Sequence, residues 1–338
     1  MKDFFALTRR GKVQRLRKAM WKALAHYDIQ PTGLKLLGTD TNIMMRVNTE
    51  SGTPYVLRLA IPGWRTELDN LSEMIWLDAL KETDIGAPIP YATKEGKWLV
   101  YETAEGLPCE YRMCLQSWVY GKPLEAHLTP ENLFRMGQLF ARIHNFSATF
   151  TPPDVFSTRK MAHYLSRDEQ YALFDEKNRD AHPKVDWAFI DTVDEKVMAA
   201  FKRRYADPDG LRVIHNDLWH GNLHIYRGKL LPFDFEDTLW GYPVQDIAMA
   251  IHDLDDDGPR DQFEPLFAQF KAGYTSLAAW PERYEDEMNH FRAGRMLWVA
   301  NWVLEHQSVY FEQHLQAIKP ILKRFLAEGV VRFPVEQD

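Results

Sequence analysis

Residues 211–237 read LRVIHNDLWHGNLHIYRGKLLPFDFED, and this stretch decides how the rest of the chain is read. Three short apolar runs, LRVI, LHIY and LLPF, have the length and residue types of strands. The second and third are joined by RGK, with Gly228 supplying a tight turn, so they read as a hairpin. The polar residues fall at the strand ends. His215, Asn216 and Asp217 follow the first strand, Asn222 precedes the second, and Asp234 follows the third. A hairpin returns its two ends to one edge, so Asn222 and Asp234 are expected as neighbours, with Asp217 beside them. Such residues are either ordinary turn residues or a site. One reading of a site is a metal hydrolase with His215, Asp217, His220 and Asp234 as ligands. No second His/Asp cluster of clear spacing supports it, and it leaves the β-rich first half of the chain without a role.

A different reading uses the order of the residues. His215-Asn216-Asp217 followed by Asn222 has the spacing H-x-D-x-x-x-x-N, and Asp234-Phe235-Glu236 comes next. That is the order of a kinase catalytic loop and its metal-binding D-F-G. Phosphoryl transfer needs these residue types. An Asp orients the acceptor hydroxyl and takes its proton, while an amide oxygen and a carboxylate are hard ligands for Mg²⁺ on a triphosphate. Asp217 is the candidate catalytic carboxylate, with His215 holding the loop. Asn222 and Asp234 are the candidate metal ligands.

Working outward, residues 33–60 carry alternating apolar positions (Leu34, Leu36, then Ile43, Met45, Val47), a turn at NTESGTP, and the run YVLRLA. They predict an antiparallel meander of three strands. Residues 65–81 predict a helix with Leu68, Leu71, Met74, Ile75 and Leu80 on its apolar side, closed by GAPIP. KWLVYET and YRMCLQSWVYG add two strands, giving a sheet of about five. Ahead of them, Val13, Leu16, Met20 and Leu24 follow helical spacing, which predicts a basic surface helix with one buried stripe. After Gly121 the character changes. TPENLFRMGQLFARIHNFS is a helix with Thr129 as N-cap and Pro130 at its first position. Residues 151–210 are polar with short helical patterns, and 243–338 read as helices broken at Gly258-Pro259. His144, His220 and His224 read as structural histidines. The acidic run HDLDDDG (252–258) reads as a solvated loop by default, with Asp253 or Glu236 as less favoured acceptor contacts. Trp298 and Trp302, four apart on one helix face, read as core or as an aromatic wall for a cation.

Composition narrows the class. The chain has 338 residues, 45% apolar and 13% aromatic, enough for a large core or two lobes. Its net charge of −7 argues against a general nucleic-acid footprint. Cys109 and Cys114 make neither a disulfide framework nor a zinc site, which fits a reducing, cytoplasmic setting. No apolar run is long enough to cross a membrane, and the basic first residues lack a signal peptide's apolar stretch.

With these motifs in place, the chain resembles the aminoglycoside phosphotransferase/choline kinase family, small-molecule relatives of protein kinases. HNDLWHGNL is similar to that family's H-G-D-x-H-x-x-N loop, FDFEDT to its metal strand, and PVQDIAMAI to the helix after it. YVLRLA, LSEMIWLDAL…GAPIP, LQSWVYGKPL and MGQLFARIHNF resemble its nucleotide strand, its N-lobe helix, its interlobe hinge and its first C-lobe helix. The resemblance implies an α+β, bilobal protein-kinase-like fold, with an N-lobe at 1–116 built on an antiparallel sheet, a hinge at 117–121 and a mainly helical C-lobe at 122–338. It implies ATP and Mg²⁺ as cofactors and a small-molecule hydroxyl as acceptor, with no nucleic-acid or membrane partner. Oligomeric state is left open. It also implies that backbone groups of Ser117, Trp118 and Val119 meet the adenine and that Asp246 braces the catalytic loop. Arg58 stands where a phosphate-anchoring Lys is usual, still a fixed positive charge with a fork suited to phosphate. Glu73 is its expected partner, with Glu67 second. The loop LGTDTN (37–42) has one Gly and makes a weak phosphate cradle. The acceptor stays open among aminoglycosides, choline-like amines, homoserine-like amino acids, sugars and macrolides. A bacterial Ser/Thr protein kinase of the same fold and a non-catalytic nucleotide-binding module are the alternatives.

Overall fold

The computed structural model describes residues 2–39, 41–166 and 169–335; Asp40, within the 37–42 loop, lies outside the described residues. The chain forms two compact units. The first comprises Met1–Tyr120, Thr151–Thr158 and Leu231–Glu236, and the second Gly121–Phe150, Arg159–Leu230 and Asp237–Asp338.

The first unit begins with helix α1 (Arg9–Leu24), started by the Thr8 hydroxyl, which accepts the Gly11 N–H at 3.2 Å. Its buried stripe is Val13, Leu16, Ala19, Met20, Ala23 and Leu24, as the spacing predicts. Strands β1 (Pro31–Gly38), β2 (Asn42–Thr49) and β3 (Tyr55–Ala60) form the expected antiparallel meander. Helix α2 (Glu67–Leu80) starts at a capping box made by Thr66 and Asp69. Its buried face runs through Glu73, Met74, Trp76, Leu77 and Leu80, whereas Leu68 is exposed. The expected stripe is therefore rotated, because the buried pair partner of Arg58, described below, sits on this helix.

Then come β4 (Pro90–Tyr91), β5 (Val100–Glu102) and β6 (Tyr111–Ser117). The sheet has six strands in the order β1-β2-β3-β6-β4, with β5 also on β6. The extra strand is the two-residue β4, read from sequence as a Pro-punctuated terminator. Proline at the start of a short edge strand escapes the ladder's demand for an N–H. Leu57 and Leu59 of β3 join α1 in one core with Met45, Val47, Met113 and Leu115. Since strand side chains alternate, Arg58 projects from the other face.

The second unit opens with β7 (Lys122–Pro123) and α3 (Pro130–Thr149), whose Thr129 hydroxyl accepts the Asn132 N–H as expected. Helices α4 (Glu176–Ala181) and α5 (Trp187–Tyr205) follow. The polar look of 151–210 hides α5, which buries only the stripe Ile190, Val193, Val197, Ala200 and Phe201 along with Arg204. Next along the chain are β8 (Arg212–Ile214), β9 (Leu223–Tyr226), β10 (Lys229–Pro232), whose last two residues count with the first unit, and β11 (Leu239–Gly241). The expected β9–β10 hairpin is present, with Arg227 at φ 49° and Gly228 at φ 76° in its two-residue turn. It pairs with β7, while β8 pairs instead with β11, Leu239 opposite Ile214. The sequence reading named no strand at β11, because three residues directly after the acidic FDFED segment carry almost no local signal.

Four helices complete the unit: α6 (Pro243–Asp257), α7 (Phe263–Thr275), α8 (Glu287–His306) and α9 (Phe311–Glu328). Helices α3 and α7 cross in near backbone contact. A Cβ on Gly137 would lie 1.9 Å from the Phe270 carbonyl oxygen, and one on Gly273 would lie 1.9 Å from that of Phe134. Among the described residues no helix is long and apolar enough to cross a membrane.

Candidate active site

The loop from His215 to Asn222 leaves β8 and is held from below by Asp246, in the first turn of α6. The Asp246 carboxylate, fully buried, accepts the Asn216 N–H at 2.7 Å through Oδ1 and the His215 N–H at 3.3 Å through Oδ2. Its Oδ2 also lies 3.0 Å from Nε2 of His144 on α3, whose Nδ1 is 3.1 Å from the Tyr274 hydroxyl of α7. An ionised carboxylate only accepts, so His144 Nε2–H donates here. The buried charge is thus met from several sides, as a buried carboxylate requires. Asn216 sits at φ 64°, a left-handed conformation that Asn tolerates better than most residues. This sharp corner turns the chain so that Asp217 emerges with its side chain 21% exposed.

Within the loop, His215 is fully buried and its Nδ1 faces the Asp217 N–H at 3.3 Å, a loop-holding position. Asn222 donates through Nδ2 to the carbonyl oxygen and to Oδ2 of Asp217, both at 2.9 Å. Its amide nitrogen is thereby committed to Asp217, and among the described residues no hydrogen bond reaches its Oδ1. An amide oxygen left over in this way is a donor atom of the hard type that Mg²⁺ takes. His220 is buried, and burial pushes its pKa below the ordinary imidazole range. Among the described residues no group of three or more His, Cys, Asp or Glu is arranged to hold a metal, so the hydrolase reading gains no support.

Arg295, the acidic run 252–258 and the Trp298/Trp302 pair stand differently in the structure from their reading in the sequence. Arg295 of α8 lies with Nη2 3.9 Å from Asp217 Oδ1 and 3.6 Å from Asp253 Oδ2, and its guanidinium stacks over Trp298 at 4.3 Å. The only sequence signal was a lone arginine in the apolar run RMLWVANWV. The acidic run 252–257 is the last part of α6 rather than a solvated loop, and Asp255 in it is fully buried, paired with Arg292 and Arg332. Burial pushes the Asp253 pKa up to about 7; Arg295 opposes this, while Asp217, Asp257 and Asp256 add to it. Trp298 and Trp302 form no shared wall. Trp298 donates to Glu169 at 2.5 Å, whereas Trp302 is exposed and stacks on His306.

In the first unit, Arg58 and Glu73 make a bidentate pair, Nη1 to Oε1 at 2.8 Å and Nη2 to Oε2, with both side chains nearly fully buried. Gln116 Nε2 adds a contact to Glu73 Oε1 at 3.4 Å. Burial acts to lower the Arg58 pKa, but neighbouring Cys114 and Glu73 outweigh it and hold Arg58 well above its ordinary value. Glu67 is exposed on the helix, so the pairing carboxylate is Glu73. Ser117 ends β6 with its N–H on the Ile89 carbonyl at 2.8 Å, and its Oγ accepts the Ile89 N–H at 2.9 Å. Trp118 lies under the Arg46 guanidinium at 4.8 Å, and Val119 is half-buried. Asp234 adopts φ 64°, directly before the buried Phe235. Glu236 is not an open acceptor contact. Its carboxylate accepts from the Thr41 hydroxyl at 2.8 Å and from Asn42 Nδ2, tying the end of the FDFE segment to the β1–β2 connection.

The structure therefore brings together His215, Asp217 and Asn222 with Asp246 in the second unit, and Arg58 with Glu73 in the first, to which Asp234 also belongs. Residues 38–284 match the phosphotransferase enzyme family. The chain belongs to that family. It is 22% identical over 234 residues to the amicoumacin kinase of Bacillus subtilis (strain 168), a match that spans 69% of this chain and 66% of that kinase's length, just under two thirds. Among solved structures, an amicoumacin kinase in complex with AMP-PNP, Ca²⁺ and Ami superposes with a TM-score of 0.77 at 16% identity, covering 97% of this chain and 98% of that one. A microcompartment-associated aminopropanol kinase gives 0.75 at 20% identity, covering 93% and 98%. The fold is the α+β kinase-like fold of these phosphotransferases.

Proposed function

We propose that this phosphotransferase moves the γ-phosphoryl group of ATP, in the presence of Mg²⁺, to a hydroxyl of a small molecule. The observation that carries this reading is the Asp217–Asn222 contact on a loop braced by Asp246. Asp217 is partly exposed and fixed in place, as a group must be to orient a hydroxyl and take its proton. Asn222 Oδ1 and the Asp234 carboxylate would hold Mg²⁺, which neutralises charge on the transferred phosphoryl group. Arg58, kept protonated and steered by Glu73, would anchor a phosphate, and the backbone of Ser117, Trp118 and Val119 would meet the base. Of these, the Ser117 N–H is already engaged by the Ile89 carbonyl.

The test is a pair of measurements on the full chain. ATP with Mg²⁺ should raise the melting temperature, because ligand bound only to the folded state stabilises it. ADP release should then appear with members of a panel of small alcohols and not with a generic protein substrate. No thermal shift at millimolar ATP, or label transferred to protein alone, overturns the proposal.

A further inference from the structure

We propose that Ser72 is a positioning residue for the nucleotide: through it, the segment Thr151–Thr158 holds α2 at the pose where Glu73 meets Arg58. This rests on the reading of Arg58 as a phosphate anchor given above. Ser72 is 1% exposed, and its hydroxyl accepts the Ser157 N–H at 2.8 Å and donates to the Ser157 carbonyl at 3.0 Å. A serine inside a helix ordinarily turns its hydroxyl to the carbonyl one turn earlier or to water. This one is committed twice to the main chain of another segment. Thr151–Thr158 follows α3 in sequence and yet counts with the first unit. The segment is pre-shaped. Pro152 and Pro153 fix two backbone angles, the Phe156 N–H closes a turn on the Pro153 carbonyl at 2.8 Å, and Phe156 is buried.

Polar side chains are costly to bury unless each finds its partner, so they specify how a helix lies. Helix α2 buries Asn70, Ser72 and Glu73 close together. Asn70 Oδ1 accepts from Arg112 Nε of β6 at 2.6 Å, Glu73 meets Arg58 of β3, and Ser72 meets Ser157. The first two partners lie on the sheet. Ser157 adds a tie from outside it, at the position next to Glu73. Successive helix residues are only about 1.5 Å apart along the axis, so the pose of α2 that satisfies Ser72 also places the Glu73 carboxylate. Without this tie α2 is freer to slide or turn against β3, and a bidentate pair tolerates little of either. In kinase-like folds the basic residue on the strand holds phosphate only while its helix glutamate is in place.

Nucleotide binding to the full chain needs no acceptor and is read by isothermal titration. S72A should weaken Mg·ATP about tenfold, while adenosine, which has no phosphate for Arg58 to hold, stays within about twofold. In an R58M/E73L background, where the pair is gone, S72A should change ATP affinity no further. If S72A does not fold, S72C, which keeps nearly the same shape with a weak donor and acceptor, takes its place with the same expectations. Three results overturn the inference and leave the phosphotransferase reading intact: unchanged ATP affinity in the folded variant, equal loss for ATP and adenosine, or equal loss of ATP affinity with and without the Arg58–Glu73 pair. A parent that binds no ATP, or an R58M/E73L chain that binds it as tightly as the parent, overturns the reading of Arg58 itself and this inference with it.

Discussion

Asp246 Oδ1 accepts the backbone N–H of Asn216 at 2.7 Å, one residue before the candidate catalytic Asp217. The bond joins the first turn of α6 to the sharpest corner of the loop. Asp246→Ala leaves the N–H groups of His215 and Asn216 and the ring of His144 without this partner in a buried setting. A loss of about 2–4 kcal/mol is expected from the urea midpoint, together with a fall in kcat, because the corner that presents Asp217 is no longer pinned.

Asp217→Asn keeps the shape and can still accept the Asn222 amide, but it cannot take a proton. The expected outcome is a drop in kcat of about 10²–10⁴-fold, with ATP affinity from equilibrium titration nearly unchanged. A variant as active as the parent removes Asp217 from the chemistry.

Arg58 and Glu73 exchange two hydrogen bonds in a nearly water-free position. Glu73→Ala strands a buried guanidinium and should cost about 3–5 kcal/mol. Arg58→Met with Glu73→Leu, which buries apolar groups instead, should recover much of that stability while the KM for ATP stays raised. A double variant with normal KM for ATP would take Arg58 out of nucleotide binding.

Gly137 lies where α3 and α7 touch, and an added Cβ would be 1.9 Å from the Phe270 carbonyl oxygen. Since Gly137→Ala cannot be absorbed by a flexible side chain, it should destabilise by about 1–3 kcal/mol or more. The same crossing carries Tyr274, the partner of His144, so a fall in kcat is expected alongside the loss of stability.

Asp253 gives a pH dependence with a definite sign. Its folded pKa is raised to about 7 by burial, against about 3.9 for an unfolded Asp. Between these values the folded state holds the extra proton, so this group's stabilisation is complete below about pH 4 and is lost as pH rises through 7. Asp253→Asn should therefore raise the urea midpoint more at pH 7.5 than at pH 5. An equal effect at both values would assign the pH slope to another group.

What could be read from the sequence was what local spacing encodes. Val13, Leu16, Met20 and Leu24 recur at helical period and are one buried face. Thr129 and Pro130 start α3 by their own side-chain chemistry, and Arg227-Gly228 turn the hairpin because their backbone angles suit it. The order His215, Asp217, Asn222, Asp234 carries its chemistry in a few dozen residues of chain. Tertiary structure alone decided the rest, because it depends on partners far away in sequence. The α2 face turned toward Glu73 because Arg58 waits on β3. Strand β8 chose β11 over the hairpin, and Glu236 was taken by Thr41 and Asn42 on the β1–β2 side. Arg295 reached Asp217 only because α8 packs against α6, and no pattern of neighbours along the chain could show that a lone charge in an apolar helix faces a carboxylate nearly eighty positions earlier.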